Sequence, residues 1–348
     1  VKLGSDLTLE DFNKEGFAAV FLAIGAHLPV KIGIAGEADS PDVIDAIRFL
    51  REVNLKRKTA PGKQVAVIGG GNVAVDSARA AKRLGTAEVT VVYRRSAGEM
   101  PAYDEEIQEA IAEGVEIKYL TAPLEIVING GKVSGLKCIR TLLGDPDASG
   151  RQRPIPIEGS EFVIPCDGVI SAIGQRIDSS WSAQCPDLDW TRRGTLEVNP
   201  RTMQTTVPHI FAGGDVVSGP ASVIEAVGAG HRAVVAIHRY LNHEPVDIDP
   251  EDREIETSVG QDWQEISPDI PTATRMEMRQ IEAPIRANSF DEVALEISET
   301  EAQREARRCL NCGVCSECME CVRVCEANAI DHAMQPREIE VAVGSIIL

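Results

Sequence analysis

The chain has 348 residues, 43% hydrophobic and only 4% aromatic, with 29 glycines and a formal net charge of −19. That length implies two or three domains with ample core, and the glycine-rich composition is that of an α/β enzyme with many tight strand-to-helix turns. The acidity argues against a nucleic-acid partner, no apolar run reaches the length of a membrane span, and no secretory signal opens the chain.

In chain order, residues 8–14 read as a short helix and 18–23 as a buried strand that ends in the turn Ile24-Gly25-Ala26. A helix is expected from Pro41 to Asn54, with proline at its entry, then a basic linker from Lys56 to Lys63. A βαβ unit comes next: strand Gln64–Ile68, glycine turn 69–71, helix 72–84, strand Glu88–Tyr93. Further strands are expected near 115–118, 123–128 and 131–139, then a loop from Gly144 to Gly159. Next come the strands Gly168–Ala172 and Ile210–Ala212 and a helix from Ala221 to Leu241. Between Glu244 and Arg308 there are eighteen acidic and seven basic side chains, the pattern of a solvated connector. A helix over 301–308 closes that stretch.

Residues 17–25 and 167–174 share a strand followed by Ala-Ile-Gly, and 341–348 looks like the same strand broken off. Buried parallel strands also resemble one another without a common origin. The abrupt start at Val1 and the stop within an apolar run at Leu348 lead to the expectation that both ends are cut.

The turn Gly69-Gly70-Gly71-Asn72-Val73-Ala74 fits G-x-G-x-x-A at a strand-to-helix junction. The first glycine makes the tight turn, the second lets backbone approach a pyrophosphate, and the small last residue permits close helix–strand packing. The next strand ends at Tyr93-Arg94-Arg95, where an NAD site carries an acidic residue for the ribose diol. Two guanidiniums there suit a 2′-phosphate, so NADPH is expected over NADH; the competing reading is that Arg95 sits on a solvated face. Phe211-Ala212-Gly213-Gly214-Asp215, followed by a helix near Ala221, presents an aspartate and a helix N-terminus to a ligand such as a flavin. The plainer reading is an aspartate capping its own turn. Cys138, Cys166 and Cys185 are isolated, which argues against disulfide redox chemistry. The histidines have no metal spacing, and the stretch from Glu99 holds no acid–base pair; hydride transfer needs none.

Six of the nine cysteines form the run Cys309-x2-Cys312-x2-Cys315-x2-Cys318-x2-Cys321-x3-Cys325. The last four reproduce the C-x2-C-x2-C-x3-C pattern that wraps a [4Fe–4S] cluster, whose fourth cysteine serves the other cube in two-cluster ferredoxins. Consecutive two-residue gaps are too tight for orderly disulfides, and zinc prefers separated pairs. Iron–sulfur thiolates need a reducing compartment, so the cytoplasm is expected. Six local cysteines complete one cluster; a second needs ligands from elsewhere.

With these motifs in this order, together with Met100-Pro101-Ala102, residues 1–243 resemble the small (beta) subunit of NADPH-dependent glutamate synthase and the wider FAD-dependent pyridine nucleotide oxidoreductases. The resemblance implies an α/β fold in which a Rossmann-like NADP-binding domain is inserted into a split FAD-binding domain. It implies that the N-terminal FAD unit is missing here, and that Gly214 and Asp215 contact FAD with backbone near Ser222 and Val223 facing its ring. The expected segments are 1–61, the end of the first FAD segment and linker; 62–165, the NAD(P)H domain; and 166–243, the returning FAD segment. After these come an acidic linker over 244–300, a ferredoxin-like segment over 301–333 and the start of a further flavoprotein domain at 334–348. The tail is similar to fusions that continue into a heterodisulfide reductase A-like module, although Glu326 stands where ferredoxins carry proline.

The leading functional expectation is an oxidoreductase that passes electrons from NADPH through FAD to a [4Fe–4S] cluster, and on to another flavin module or redox protein. A glutamate synthase small-subunit role, feeding an amidotransferase, is the second reading. A non-catalytic ferredoxin-like adaptor is the third; it would have no use for the phosphate turn or for Arg94 and Arg95.

Overall fold

The computed structural model describes residues 2–57, 59–146, 150–246 and 274–307. The cysteine run, Glu326 and the apolar run up to Leu348 lie outside the described residues. The chain divides into two compact units, Val1–Glu244 with Ile281–Val293, and Pro245–Gln280 with Ala294–Leu348.

The first unit is built around a five-stranded parallel sheet in the order Val43–Asp45, Gly168–Ser171, Gln64–Ile68, Glu88–Val92, Val115–Lys118. Its central strands are buried on both sides, as parallel strands must be when both faces are covered. On one face Val65, Val67, Val89, Val91 and Ile170 meet Phe49, Val75, Ala78 and Ile107 from the helices Ala46–Asn54, Asn72–Arg83 and Asp104–Ala112. On the other face Ala66, Ile68, Val92 and Val169 meet Ile126, Leu136, Cys138 and Ile164 from an antiparallel sheet. That sheet joins Thr121–Asn129, Lys132–Pro146, Gln152–Pro156 and Phe162–Ile164.

A smaller body holds the parallel pair Val20–Leu22 and Ile210–Ala212. Leu22, Ile210 and Ala212 pack with Leu9, Trp181, Leu188 and Leu196, while Phe21 faces Ala229 and Ala233 of the helix Val223–Leu241. The chain crosses between the two sheets at Leu28–Pro29 and again at Gln175–Arg176, and the two crossings pair with each other antiparallel.

Three expectations differ from the structure. Residues 41–45 are not helical: Val43 and Ile44 join the sheet edge beside Val169 and Ile170, and the Asp45 carboxylate caps the helix by accepting from the Arg48 amide at 2.8 Å. The expected loop over Gly144–Gly159 contains paired strand instead, with Leu142 opposite Ile155 and Leu143 opposite Pro154. Pro154 and Pro156 sit on a strand with one neighbour, where a missing N–H can face away from the ladder. The boundaries at 62 and 165 cut through the parallel sheet, since its strands at 43–45 and 168–171 lie outside them. The repeated strand pattern at 17–25 and 167–174 therefore falls in two different sheets.

The helices Asn72–Arg83 and Asp104–Ala112 are joined at a buried carboxylate. Glu113 receives Arg79 at 2.7 and 3.1 Å and Arg83 at 2.9 and 3.3 Å, and its side chain is fully buried. Burial pushes this carboxyl up, but the hydrogen bonds and charges of Arg79 and Arg83 outweigh it and hold it below the usual range. In the second unit Ser298 caps the helix Glu299–Arg307, exchanging hydrogen bonds with Glu301.

Candidate functional site

The glycine turn closes the end of Gln64–Ile68. Gly69 has φ +147°, and a Cβ there would strike the Ala172 carbonyl, so only glycine fits. Its amide donates to the Val92 carbonyl at 3.1 Å. Gly71 has φ −88° and nothing within 4 Å of where its Cβ would lie. Ala74 and Val75 both turn their amides back to the Gly71 carbonyl. The amides of Asn72 and Val73 then have no intrahelical acceptor, and they stand at the positive end of the helix beside open space. Ala74 is fully buried, which lets the helix sit close on the strand. This arrangement fits a pyrophosphate.

Two supports of the turn are absent from the glycine pattern. Gly70 lies against the ring of Tyr93, which a Cβ would strike. The Ala102 amide donates to the Gly70 carbonyl at 3.1 Å, and the Tyr103 amide donates to Asn72 Oδ1 at 3.0 Å. Asn72 thus spends its side-chain oxygen on positioning, and Met100-Pro101-Ala102 forms the wall behind the turn. Only the unexplained Met-Pro-Ala in the sequence hinted at this.

The two arginines after the strand differ in burial. Arg95 is 6% exposed, and its Nε donates to the Gln152 carbonyl at 2.7 Å. Arg94 is exposed. Of the two guanidiniums expected to hold a 2′-phosphate, Arg95 is buried against the antiparallel sheet and Arg94 faces solvent.

A cleft of about 310 Å³ lies at the end of the parallel pair. Phe21, Ala23 and Gly25 line one side, Gly213, Gly214 and Asp215 the floor, and Ala221, Ser222, Val223 and Ala226 the other side. Gly214 has φ +70°, and Gly213 has no room for a Cβ, which would come within 2.9 Å of the Phe21 ring. Asp215 accepts from the Ala221 amide at 3.3 Å, so it does cap its own turn while lining the cleft. Ser222 is bound up in a capping box, its amide donating to Glu225 at 2.9 Å and its hydroxyl at 2.6 Å. Of the two residues expected near a flavin ring, Val223 rather than Ser222 has an amide without an intrahelical acceptor. The volume is at the low end for a ligand pocket, enough for part of a dinucleotide.

Cys138 and Cys166 are buried free thiols, each pushed up to about 12, chiefly by burial. Cys185 is also free and is raised by the same cause. At neutral pH such thiols stay protonated and unreactive. No helix among the described residues is long and apolar enough to cross a membrane.

Residues 4–230 match the family model described as pyridine nucleotide-disulphide oxidoreductase. The chain is 40% identical over 316 residues to the beta subunit of NADP(+)-dependent formate dehydrogenase from Moorella thermoacetica, covering 89% of this chain and 44% of that one. It is 37% identical over 339 residues to the beta subunit of an NADPH-Fe(3+) oxidoreductase from Geobacter sulfurreducens, covering 89% and 50%. The small chain of glutamate synthase [NADPH] from Escherichia coli matches at 37% over 257 residues, covering 69% and 54%. The chain spans about half the length of these curated relatives. Among solved structures, Mycobacterium tuberculosis FprA in complex with NADPH superposes with a TM-score of 0.57 at 20% identity, over 70% of this chain and 68% of that one.

Proposed function

The chain belongs to the pyridine nucleotide-disulphide oxidoreductase family, and on that premise we propose that it is the nucleotide- and flavin-binding part of an NADPH-dependent electron-transfer enzyme. The observation that carries this reading is the turn at Gly69–Gly71, with free helix amides, open space at Gly71 and an exposed Arg94 after the next strand. Asn72 and Val73 amides would hold the pyrophosphate, and Arg94 a 2′-phosphate. Gly214, Asp215 and the Val223 amide would hold part of FAD. When bound, the nicotinamide and flavin would supply hydride transfer and single-electron release, and the cysteines from Cys309 to Cys325 would hold a [4Fe–4S] cluster able to take those electrons. The chain's own part is to bind, orient and seal, because no acid–base pair is needed for hydride transfer.

The extent of the matches favours this over the glutamate synthase role. A match over 89% of the chain must include much of the sequence beyond Glu244, whereas the glutamate synthase small chain matches over 69%. The segment that leads to the cysteines is therefore shared with subunits named for formate dehydrogenase and Fe(3+) reduction. The acceptor in this reading is a redox protein or a further flavin module of the heterodisulfide reductase A-like kind, in the cytoplasm.

The test is anaerobic reconstitution of the protein with iron, sulfide and FAD. Adding NADPH should bleach the flavin and then the cluster absorbance. Absence of both changes would overturn the reading, and glutamine-dependent glutamate formation with a large subunit would replace it with the second one.

A further inference from the structure

The helices Asn72–Arg83 and Asp104–Ala112, with the residues that flank them, meet along a ladder of polar groups. Residues three and four apart share one face of a helix. Asn72, Asp76, Arg79 and Arg83 therefore form one rail, and Tyr103, Glu106, Glu109 and Glu113 the other. Three rungs are closed. Asn72 Oδ1 accepts from the Tyr103 amide at 3.0 Å, Arg79 reaches Glu109 at 2.7 Å, and Arg79 and Arg83 both reach Glu113. Glu113 also meets Arg286 Nε at 3.2 Å. The remaining rung, directly behind Asn72 and Tyr103, sets the Asp76 carboxyl against that of Glu106.

As two carboxylates this rung is unsatisfied. Glu106 is half-buried, and its Oε2 is buried with no hydrogen-bond partner among the described residues. Asp76 keeps an exposed side and makes no hydrogen bond or ion pair among the described residues. Burial is the leading cause that pushes both carboxyls above their ordinary values. Asp76 and Glu109 push Glu106 further, while Arg79 pulls both carboxyls back without cancelling the rise. Arg79 and Glu109 are thus the charged groups that act on the pair from the two helices. A proton between Asp76 and Glu106 gives the buried Oε2 a donor and removes one of two like charges.

We propose that Asp76 and Glu106 share one proton and hold it more tightly when a nucleotide occupies the glycine turn, so that nucleotide affinity falls as the pair ionises. Asp76 follows Asn72 by four residues, about 6 Å along the helix axis. Phosphates at the Asn72 and Val73 amides therefore meet the pair's charge one helical turn away. With the proton in place the pair carries one negative charge; without it, two. The extra charge weakens phosphate binding about threefold. By linkage, phosphate binding draws a proton from solvent onto the pair. The coupling rests on the reading of the turn as a pyrophosphate site, whereas the shared proton stands on the ladder alone.

The experiment titrates wild type and Glu106→Gln with NADP+, which has no hydride to give, at about pH 5 and about pH 8. The nucleotide's own phosphate titration is common to both proteins and cancels in the ratio of their dissociation constants. That ratio, wild type over variant, should rise about threefold from the lower to the higher pH, because the variant's remaining carboxylate carries one charge throughout. Asp76→Asn should give the same rise. Glu105→Gln removes an exposed carboxylate on the same helical turn and should give a ratio independent of pH. A flat ratio for folded Glu106→Gln and Asp76→Asn, or an equal rise for Glu105→Gln, would overturn the coupling. Thermal denaturation without nucleotide tests the proton by itself. A carboxyl raised in the folded state stabilises it at low pH, and that contribution is lost as pH rises from about 4.3 through the raised value. Wild type should therefore melt lower relative to Glu106→Gln at about pH 8 than at about pH 5; a constant difference would overturn the shared proton. If wild type binds no NADP+ at either pH, the nucleotide-site reading fails, and the melting comparison still decides the pair.

Discussion

The three glycines of one turn are not equivalent, and substitution should separate them. Gly70→Val drives a side chain into the Tyr93 ring and should cost about 1–3 kcal/mol of stability, read by thermal denaturation. Gly71→Ala meets nothing within 4 Å at an ordinary φ. It should leave stability within about 0.5 kcal/mol while weakening NADPH binding about tenfold, or about 1.4 kcal/mol, in a fluorescence titration. The arginines should part in the same way. Arg94→Asp should shift preference toward NADH in paired kinetics, because it removes the exposed cation where a 2′-phosphate is expected. Arg95→Ala should leave the preference alone and cost about 1.5–3 kcal/mol, since it strips the partner of the Gln152 carbonyl. Site-resolved alkylation at pH 8 should leave Cys138 and Cys166 unmodified in the native protein and label them after denaturation. The glycine pattern itself was legible in the sequence, because Gly69 answers to a backbone angle. The division of labour between Arg94 and Arg95 was not, since it depends on a carbonyl 57 residues away.

At the level of elements, the helix pair behind the sheet is held by Glu113, and its titration has a definite sign. Its carboxyl is held below the usual glutamate value, so its contribution is fully present above about pH 4.3 and is lost as pH falls through the lowered folded value. Glu113→Gln should cost about 3 kcal/mol or more, because Arg79 and Arg83 lose a buried counter-charge. It should also flatten the acid limb of a stability-against-pH curve; an unchanged limb would assign that limb to other carboxylates. Element existence was easy to read where periodicity was strong: the strand Gln64–Ile68 and its helix fall where expected. The strand at Val43–Asp45 and the paired strands around Gly144–Gly159 were hidden. A three-residue strand carries no period, and prolines mask a strand that has only one neighbour.

For the whole molecule, the cleft at Gly213–Asp215 is small and is built from one parallel pair of strands. The chain should bind NADPH but retain FAD below one equivalent after gel filtration, because that cleft can hold only part of a dinucleotide; stoichiometric FAD would refute this. The sequence by itself determined the glycine turn, the α/β class and the acidic approach to a cysteine run, because each is written in local spacing and composition. Only the tertiary structure decided which strands share a sheet, that Arg95 is a brace, that Ser222 is committed to Glu225, and that Arg286 returns to Glu113. Those outcomes depend on which distant groups meet, and burial then makes each meeting decisive. A guanidinium or carboxylate excluded from water must find a partner, and the chain alone does not say which one the fold will supply.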